Sequence, residues 1–309
     1  MITVHERLAP LDEPSRSALI FRGDVIVFRS VDAVSALISR ADGTIREIFA
    51  PHDPLIAERV LTPGAYAEKS EALIGTFAKD PAIRDLYRAA LEAVGVDASL
   101  SFWDRLRLRI QPSGETHMSR RVLNLAPHRD SWGSNVMAQV NWWAPIYTVT
   151  RERTMVIYPA HWGRPIANTS ADWDFEDLRA RRKRGDDRYP LLPVATEQVD
   201  GTSAWPVVID PGDLLCFSGA HLHASVPNTT GVTRFSTEVR TVNVEDLRAG
   251  RGAPNVDGAA PRQPLEWFHN LADGLSLAAA LNPGRLSGTR DARCPTEAYR
   301  ARQGDIRHQ

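Results

Sequence analysis

The side chains of this chain that could do chemistry together lie in two short stretches. The first is His128-Arg129-Asp130, an imidazole and a carboxylate two residues apart. In an extended segment residues i and i+2 face the same way, so His128 and Asp130 can chelate one ion while Arg129 points elsewhere. The second stretch, residues 211–236, carries His221 and His223, a turn at Pro227-Asn228-Thr229-Thr230-Gly231, and then Arg234-Phe235-Ser236. Two imidazoles and one carboxylate on one side of a cavity form the facial triad that holds Fe(II) with three positions open. An arginine set deeper in the same cavity can take the carboxylate of a co-substrate through two parallel hydrogen bonds. Both histidines of the second stretch share a face if their strand continues, so side alone does not choose between them. His223 and Arg234 are nearly equidistant from the turn and should reach a similar depth.

These groups need a scaffold of short strands. Segments at about 121–126, 135–146, 153–158, 206–210, 213–218 and 234–244 read as strands separated by turn signals, which argues for a sandwich, barrel or jelly roll and against an alternating βαβ sheet. Arg105 to Ile110 alternates strictly, placing Arg105, Arg107 and Arg109 on one face; that face is either solvated or lines a cavity mouth where Arg107 or Arg109 meets an anionic substrate. Upstream, 19–28 reads as one or two strands broken at Gly23-Asp24, and Ser30 as the N-cap of a helix whose second stretch ends near Phe49. Helices follow over 65–79 and from the Asp80-Pro81 start to Gly95, where Ile83, Leu86, Tyr87 and Leu91 recur at helical spacing. One domain is expected: helical and strand support over 1–99, a catalytic core over 100–245, and a C-terminal extension over 246–309 that contains an apolar helix around 264–281 and a polar tail. The extension packs on the core or on a second copy as a homodimer contact. A polar insertion at about 160–205, with Trp162, Trp173 and the charge run from Arg181 to Arg188, is expected to fold back as a lid over the cavity.

Composition narrows the partners. Lys+Arg of 37 against Asp+Glu of 38 leaves a formal charge of −1, so no basic surplus invites nucleic acid or anionic lipid. A hydrophobic share of 43% is ordinary for a chain with a real core. Cys216 sits in the apolar run Leu214 to Phe217 and reads as a buried thiol; with Cys294 as the second cysteine, a disulfide framework is excluded. The N-terminus carries no basic region followed by an apolar stretch, and no window approaches the ~20 apolar residues of a membrane span, so a soluble, cytoplasmic protein is expected. The lysines are Lys69, Lys79 and Lys183 alone, a bias that fits the base composition of a bacterial genome.

The pattern His128-x-Asp130, His223-x-Ser225-x-x-Asn228 and Arg234-x-Ser236 resembles the Fe(II)/2-oxoglutarate-dependent oxygenase superfamily, and within it the phytanoyl-CoA dioxygenase-like branch. In that branch the distal histidine precedes the 2-oxoglutarate-binding arginine by about eleven residues, the spacing of His223 and Arg234, so the resemblance favours His223 over His221 as ligand. The segment Asn141 to Ile146, continuing through Tyr158-Pro159-Ala160-His161, also resembles the family's central strand pair, with His161 structural. The resemblance implies a mainly β fold with flanking helices, a double-stranded β-helix (jelly roll) of the cupin type. It implies Fe(II) held by His128, Asp130 and His223, with 2-oxoglutarate held by Arg234 and Ser236 and with Asn141 beside it. Arg129, Trp132, Trp143, Arg107 and His221 remain candidate substrate contacts, with core packing the competing role for each tryptophan. Halogenating relatives lack the carboxylate present here as Asp130, so hydroxylation, desaturation or ring closure of a small molecule with O2 is implied, in bacterial specialised metabolism. Two other readings stand beside it: a cupin-like metalloenzyme that uses no 2-oxoglutarate, for which Arg234 would have no task, and a non-catalytic jelly-roll binding protein.

Overall fold

Among the described residues eleven strands run in chain order: β1 (Val4–Arg7), β2 (Val25–Phe28), β3 (Ser101–Trp103), β4 (Arg107–Gln111), β5 (Gln139–Pro145), β6 (Met155–Ile157), β7 (Trp205–Pro206), β8 (Leu214–Ser218), β9 (His223–Ser225), β10 (Arg234–Asn243) and β11 (His269–Asn270). The computed structural model describes residues 2–119, 121–186 and 188–282; Cys294 and the polar tail of the C-terminal extension lie outside them. β10 is the spine of the larger sheet. It pairs antiparallel with β5 over seven residues on one side, and with β4 and β3 on the other. The sheet continues from β5 through β8 to β2 and β1, and from β3 to β11. A second sheet, β7-β6-β9, packs on it: Met155, Ile157 and Val207 join Val25, Val27, Trp143, Leu215 and Phe217 in one apolar cluster. Two stacked sheets with the site between them form the jelly roll.

The period-2 alternation of β5 explains both faces of the larger sheet. Val140, Trp142 and Ala144 face a helical layer, whereas Asn141 and Trp143 face the second sheet. The helical layer is built by α1 (Glu13–Ile20), α2 (Asp32–Phe49), α3 (Pro63–Lys79) and α4 (Pro81–Ala93). In α4 the Asp80 carboxylate accepts from Ala82 N, Pro81 occupies the first turn, Ile83, Tyr87, Ala90 and Leu91 are buried, and Gly95 ends the segment at φ +95°. Burying Ile83 and Leu91 contributes about 1.5–3 kcal/mol each. No described helix is long and apolar enough to cross a membrane.

Several local expectations are corrected, and of the strand expected at 206–210 only Trp205–Pro206 forms. Residues 19–20 belong to α1, whose start is capped by Asp12, and only 25–28 are strand. Ser30 sits at φ +52° and Val31 occupies the N-cap of α2. No strand forms over 121–126: Pro127 lacks a donor, and this segment meets β9 through Ser225 N to Leu125 O, through Leu125 N to Ser225 Oγ, and then through the reciprocal backbone pair of His128 and His223. The apolar stretch 264–281 is no continuous helix. Asn270 caps local turns through Ala272 N, Gly274 takes φ +78°, and the helical residues are Leu265–Trp267 and α8 (Leu277–Leu281), after the short α5 (Ser131–Ser134), α6 (Phe175–Lys183) and α7 (Val244–Arg248). Leu265, Phe268 and Leu277 pack on the chain's own core against Phe102, Val136 and Val242.

Candidate metal and co-substrate site

The single backbone pair between His128 and His223 brings two distant histidines side by side, with ring centroids 4.2 Å apart. Asp130 stands two residues on, where the chain enters α5. One ligand atom from each of His128, Asp130 and His223 lies within 4.8 Å of the others. The ring geometry suits a metal. His128 Nδ1 faces Ala126 O at 2.7 Å and His223 Nδ1 faces His221 O at 3.0 Å. A carbonyl only accepts, so each Nδ1 carries the proton and each Nε2 offers a lone pair. Both Nε2 atoms point at the Asp130 carboxylate, at 3.8 Å and 4.0 Å. Burial, with His223 beside it, pulls the His128 pKa down to about 3, so the ring is neutral.

Asp130 is clamped on both oxygens. Arg240 Nη2 donates to Oδ1 at 2.7 Å and Asn141 Nδ2 to Oδ2 at 2.6 Å. Burial alone would raise its pKa; the Arg240 charge overrides that and holds the carboxyl well below the usual range. Arg240 in turn reaches Asp104, which also pairs with Arg107 at 2.6 Å.

The cavity holding these groups is lined by Arg109, Trp143, Met155, Phe217, Arg234 and Glu238 among others. Arg234, Ser236, Glu238 and Arg240 alternate along one face of β10. Arg234 is buried, and its Nε and Nη1, like Ser236 Oγ, have no hydrogen-bond partner. Burial draws its pKa down to about 10, so the guanidinium is charged at neutral pH. A charged, buried group left unpaired in a cavity is a cradle for an anion. Burial disfavours an ionised Glu238, but the Arg109 guanidinium, 2.6 Å away, and the charges of Arg240 and Arg107 bring its pKa down to about 2.

Several expected site residues sit elsewhere. Arg129 does not line the cavity; its guanidinium is buried against Asp257 and three backbone carbonyls. Trp132 packs with Ile166 and Leu222 and donates to Asp257, so it is a core residue. His221 faces Gly23 O and Ser218 O with its two ring nitrogens, one of which donates, and lies tilted against Trp162, away from the cavity wall. Arg107 pairs with Asp104 and is not a lining residue, whereas Trp143 and Arg109 do line the cavity. Asn141 lines the cavity, but its amide is committed to Asp130 and Gln139. Among the described residues the insertion contributes no lining residue; it docks on the C-terminal extension, with Arg262 on Asp174 and Phe175 on Trp267. Sequence reading missed Arg240 and Glu238, although their alternation with Arg234 along one strand was a usable signal.

A jelly roll presenting this side-chain set defines the class: the chain is an enzyme of the Fe(II)/2-oxoglutarate-dependent non-haem oxygenase superfamily. The model of the phytanoyl-CoA dioxygenase (PhyH) family matches residues 18–236, and the chain belongs to that family. Among solved structures it is similar to EvdO2 from Micromonospora carbonacea var. aurantiaca complexed with 2-oxoglutarate, at 16% identity, covering 77% of this chain and 93% of that one with a TM-score of 0.44. SnoN, a non-heme alpha ketoglutarate-dependent epimerase from nogalamycin biosynthesis, is 15% identical over 75% and 83% of the two chains, with a TM-score of 0.41. EctD from S. alaskensis with bound Fe is 16% identical over 83% of each, with a TM-score of 0.39. No curated protein matches.

Proposed function

We propose that His128, Asp130 and His223 hold Fe(II), that Arg234 and Ser236 hold the far carboxylate of 2-oxoglutarate, and that the enzyme oxidises a C–H bond of a small molecule in bacterial specialised metabolism. The observation that carries this reading is one cavity containing both a converging His-Asp-His donor set and a buried guanidinium with two nitrogens unpaired. When bound, iron and 2-oxoglutarate together turn O2 into an oxidant for C–H bonds, releasing succinate and CO2.

The chain's own residues do the rest. The carbonyls of Ala126 and His221 orient the two imidazoles, and Arg240 with Asn141 fixes the carboxylate between them. Arg234 sets the direction of the diacid by its one available charge. Trp143, Met155 and Phe217 supply apolar wall that excludes water and holds the target carbon, while the ionised Arg109–Glu238 pair offers a polar contact to the substrate. Asp130 keeps a position occupied that halogenating relatives open to chloride, which favours hydroxylation, desaturation or ring closure. The test is succinate release from 2-oxoglutarate by protein reconstituted anaerobically with Fe(II), then given O2 and a panel of candidate metabolites. Stimulation by one compound, lost on omitting iron, is expected. A protein that binds neither metal nor 2-oxoglutarate refutes the assignment and leaves the binding-protein reading.

A further inference from the structure

Outside the family match lies Asp257, and three donors from two separate parts of the chain converge on its carboxylate. Arg129 Nε reaches Oδ2 at 3.0 Å, Ile166 N reaches the same oxygen at 3.1 Å, and Trp132 Nε1 reaches Oδ1 at 2.7 Å. Arg129 is the residue between the proposed ligands His128 and Asp130, and Trp132 is two residues further on. The Arg129 guanidinium is 2% exposed, and its other nitrogens donate to Ala220 O, His161 O and Arg164 O. Ala220 lies three residues before His223. One buried cation therefore ties the loop bearing two ligands to the corner bearing the third, and Asp257 is its only anionic contact among the described residues.

We propose that Asp257 is a positioning residue for the metal centre, acting through Arg129 and Trp132, so that the C-terminal extension forms part of the site. This rests on the metal assignment above. The physical reason is charge. A guanidinium so deeply buried is held by its carboxylate, and without it the three carbonyls alone must compensate a full positive charge. The side chain then swings toward water and carries the His128–Asp130 backbone with it. The insertion depends on the same residue: Asn168 Nδ2 donates to Asp257 O at 3.0 Å. The extension and insertion thus work as a brace behind the metal loop, opposite the cavity.

The experiment titrates Co(II) alone into metal-free, full-length protein and follows the visible absorption bands of the bound ion. D257N and W132F are compared with wild type and with D246N. Asp246, in the same C-terminal region, pairs with Ser17 and Arg251 and touches nothing in the metal loop, so D246N controls for loss of stability alone. D257N should weaken Co(II) binding about 10- to 100-fold, the range for residues that orient metal ligands. W132F should weaken it by less, and D246N should leave it unchanged while lowering the melting temperature. Unchanged affinity in D257N, or an equal loss in D246N, overturns the proposal; should D257N fail to fold, W132F decides in the same way. A wild-type protein that binds no Co(II) refutes the metal assignment itself, whereas normal wild-type binding with an indifferent D257N refutes only the role of Asp257.

Discussion

Arg234→Leu separates the co-substrate reading from any structural role for this arginine, because the two predict opposite signs. Arg234 Nε and Nη1 are buried with no hydrogen-bond partner, and the cost of burying the guanidinium outweighs the attraction of Glu238. Replacing such a group with an apolar side chain of similar reach is neutral or stabilising. Toward 2-oxoglutarate the change is costly. Breaking a buried, hydrogen-bonded charge pair loses about 2–5 kcal/mol, and at ~1.4 kcal/mol per decade this corresponds to roughly 30- to 5,000-fold weaker binding. Ser236→Ala removes one hydrogen bond to a charged group and should cost roughly 10- to 140-fold, since such bonds contribute ~1.5–3 kcal/mol. Calorimetric titration of 2-oxoglutarate into Co(II)-loaded protein measures both without turnover, and a thermal melt without co-substrate measures the stability arm. The reasoning fails if Arg234→Leu binds 2-oxoglutarate within threefold of wild type. A melt lowered by several degrees would assign Arg234 to the scaffold instead.

His223→Ala should abolish Co(II) and Fe(II) binding in a folded protein. His221→Ala should keep the metal yet lose about 3 kcal/mol of stability, as expected for truncating a packed, hydrogen-bonded ring; the reverse pattern exchanges the two roles. Glu238 gives a pH prediction. Its pKa falls from an ordinary 4.5 to about 2 in the folded chain, so its ionisation stabilises the fold above about pH 4.5, and that stabilisation is lost as pH falls toward 2. Melting curves of wild type and Glu238→Gln should therefore converge as pH drops through that window, and curves that stay parallel refute it.

How far the sequence carried depends on how local each determinant is. The α4 start at Asp80-Pro81 and its stop at Gly95 are local backbone chemistry and were legible. So were β8 and β10, read as strands separated by turn signals and present as such in the structure. The N-terminal segment 19–28 misled because its first residues complete a helix begun at Glu13, and apolar composition does not separate the last turn of a buried helix from a strand. The site's donor types were legible from spacing, whereas the destination of Arg129 was not. Its partner Asp257 lies 128 residues away, in the C-terminal extension. Trp132 misled for the same reason: an indole near the ligand loop suits a substrate wall until the residue that accepts its N–H is known.

The two halves of the cavity are prepared differently, and that difference bears on where binding energy resides. In the metal half each proposed donor is already held by protein: the two Nδ1 atoms by carbonyls, and the two Asp130 oxygens by Arg240 and Asn141. Little rearrangement is needed there, so metal affinity is set by geometry the fold has fixed. In the co-substrate half Arg234 and Ser236 are buried and unsatisfied. A carboxylate arriving there supplies hydrogen bonds that the folded chain lacks and relieves a desolvation penalty already incurred. The far carboxylate of the diacid, the end remote from the reacting atoms, is therefore where this cavity gains most from being filled. A monoacid of equal length should bind the metal half alone and forfeit that gain.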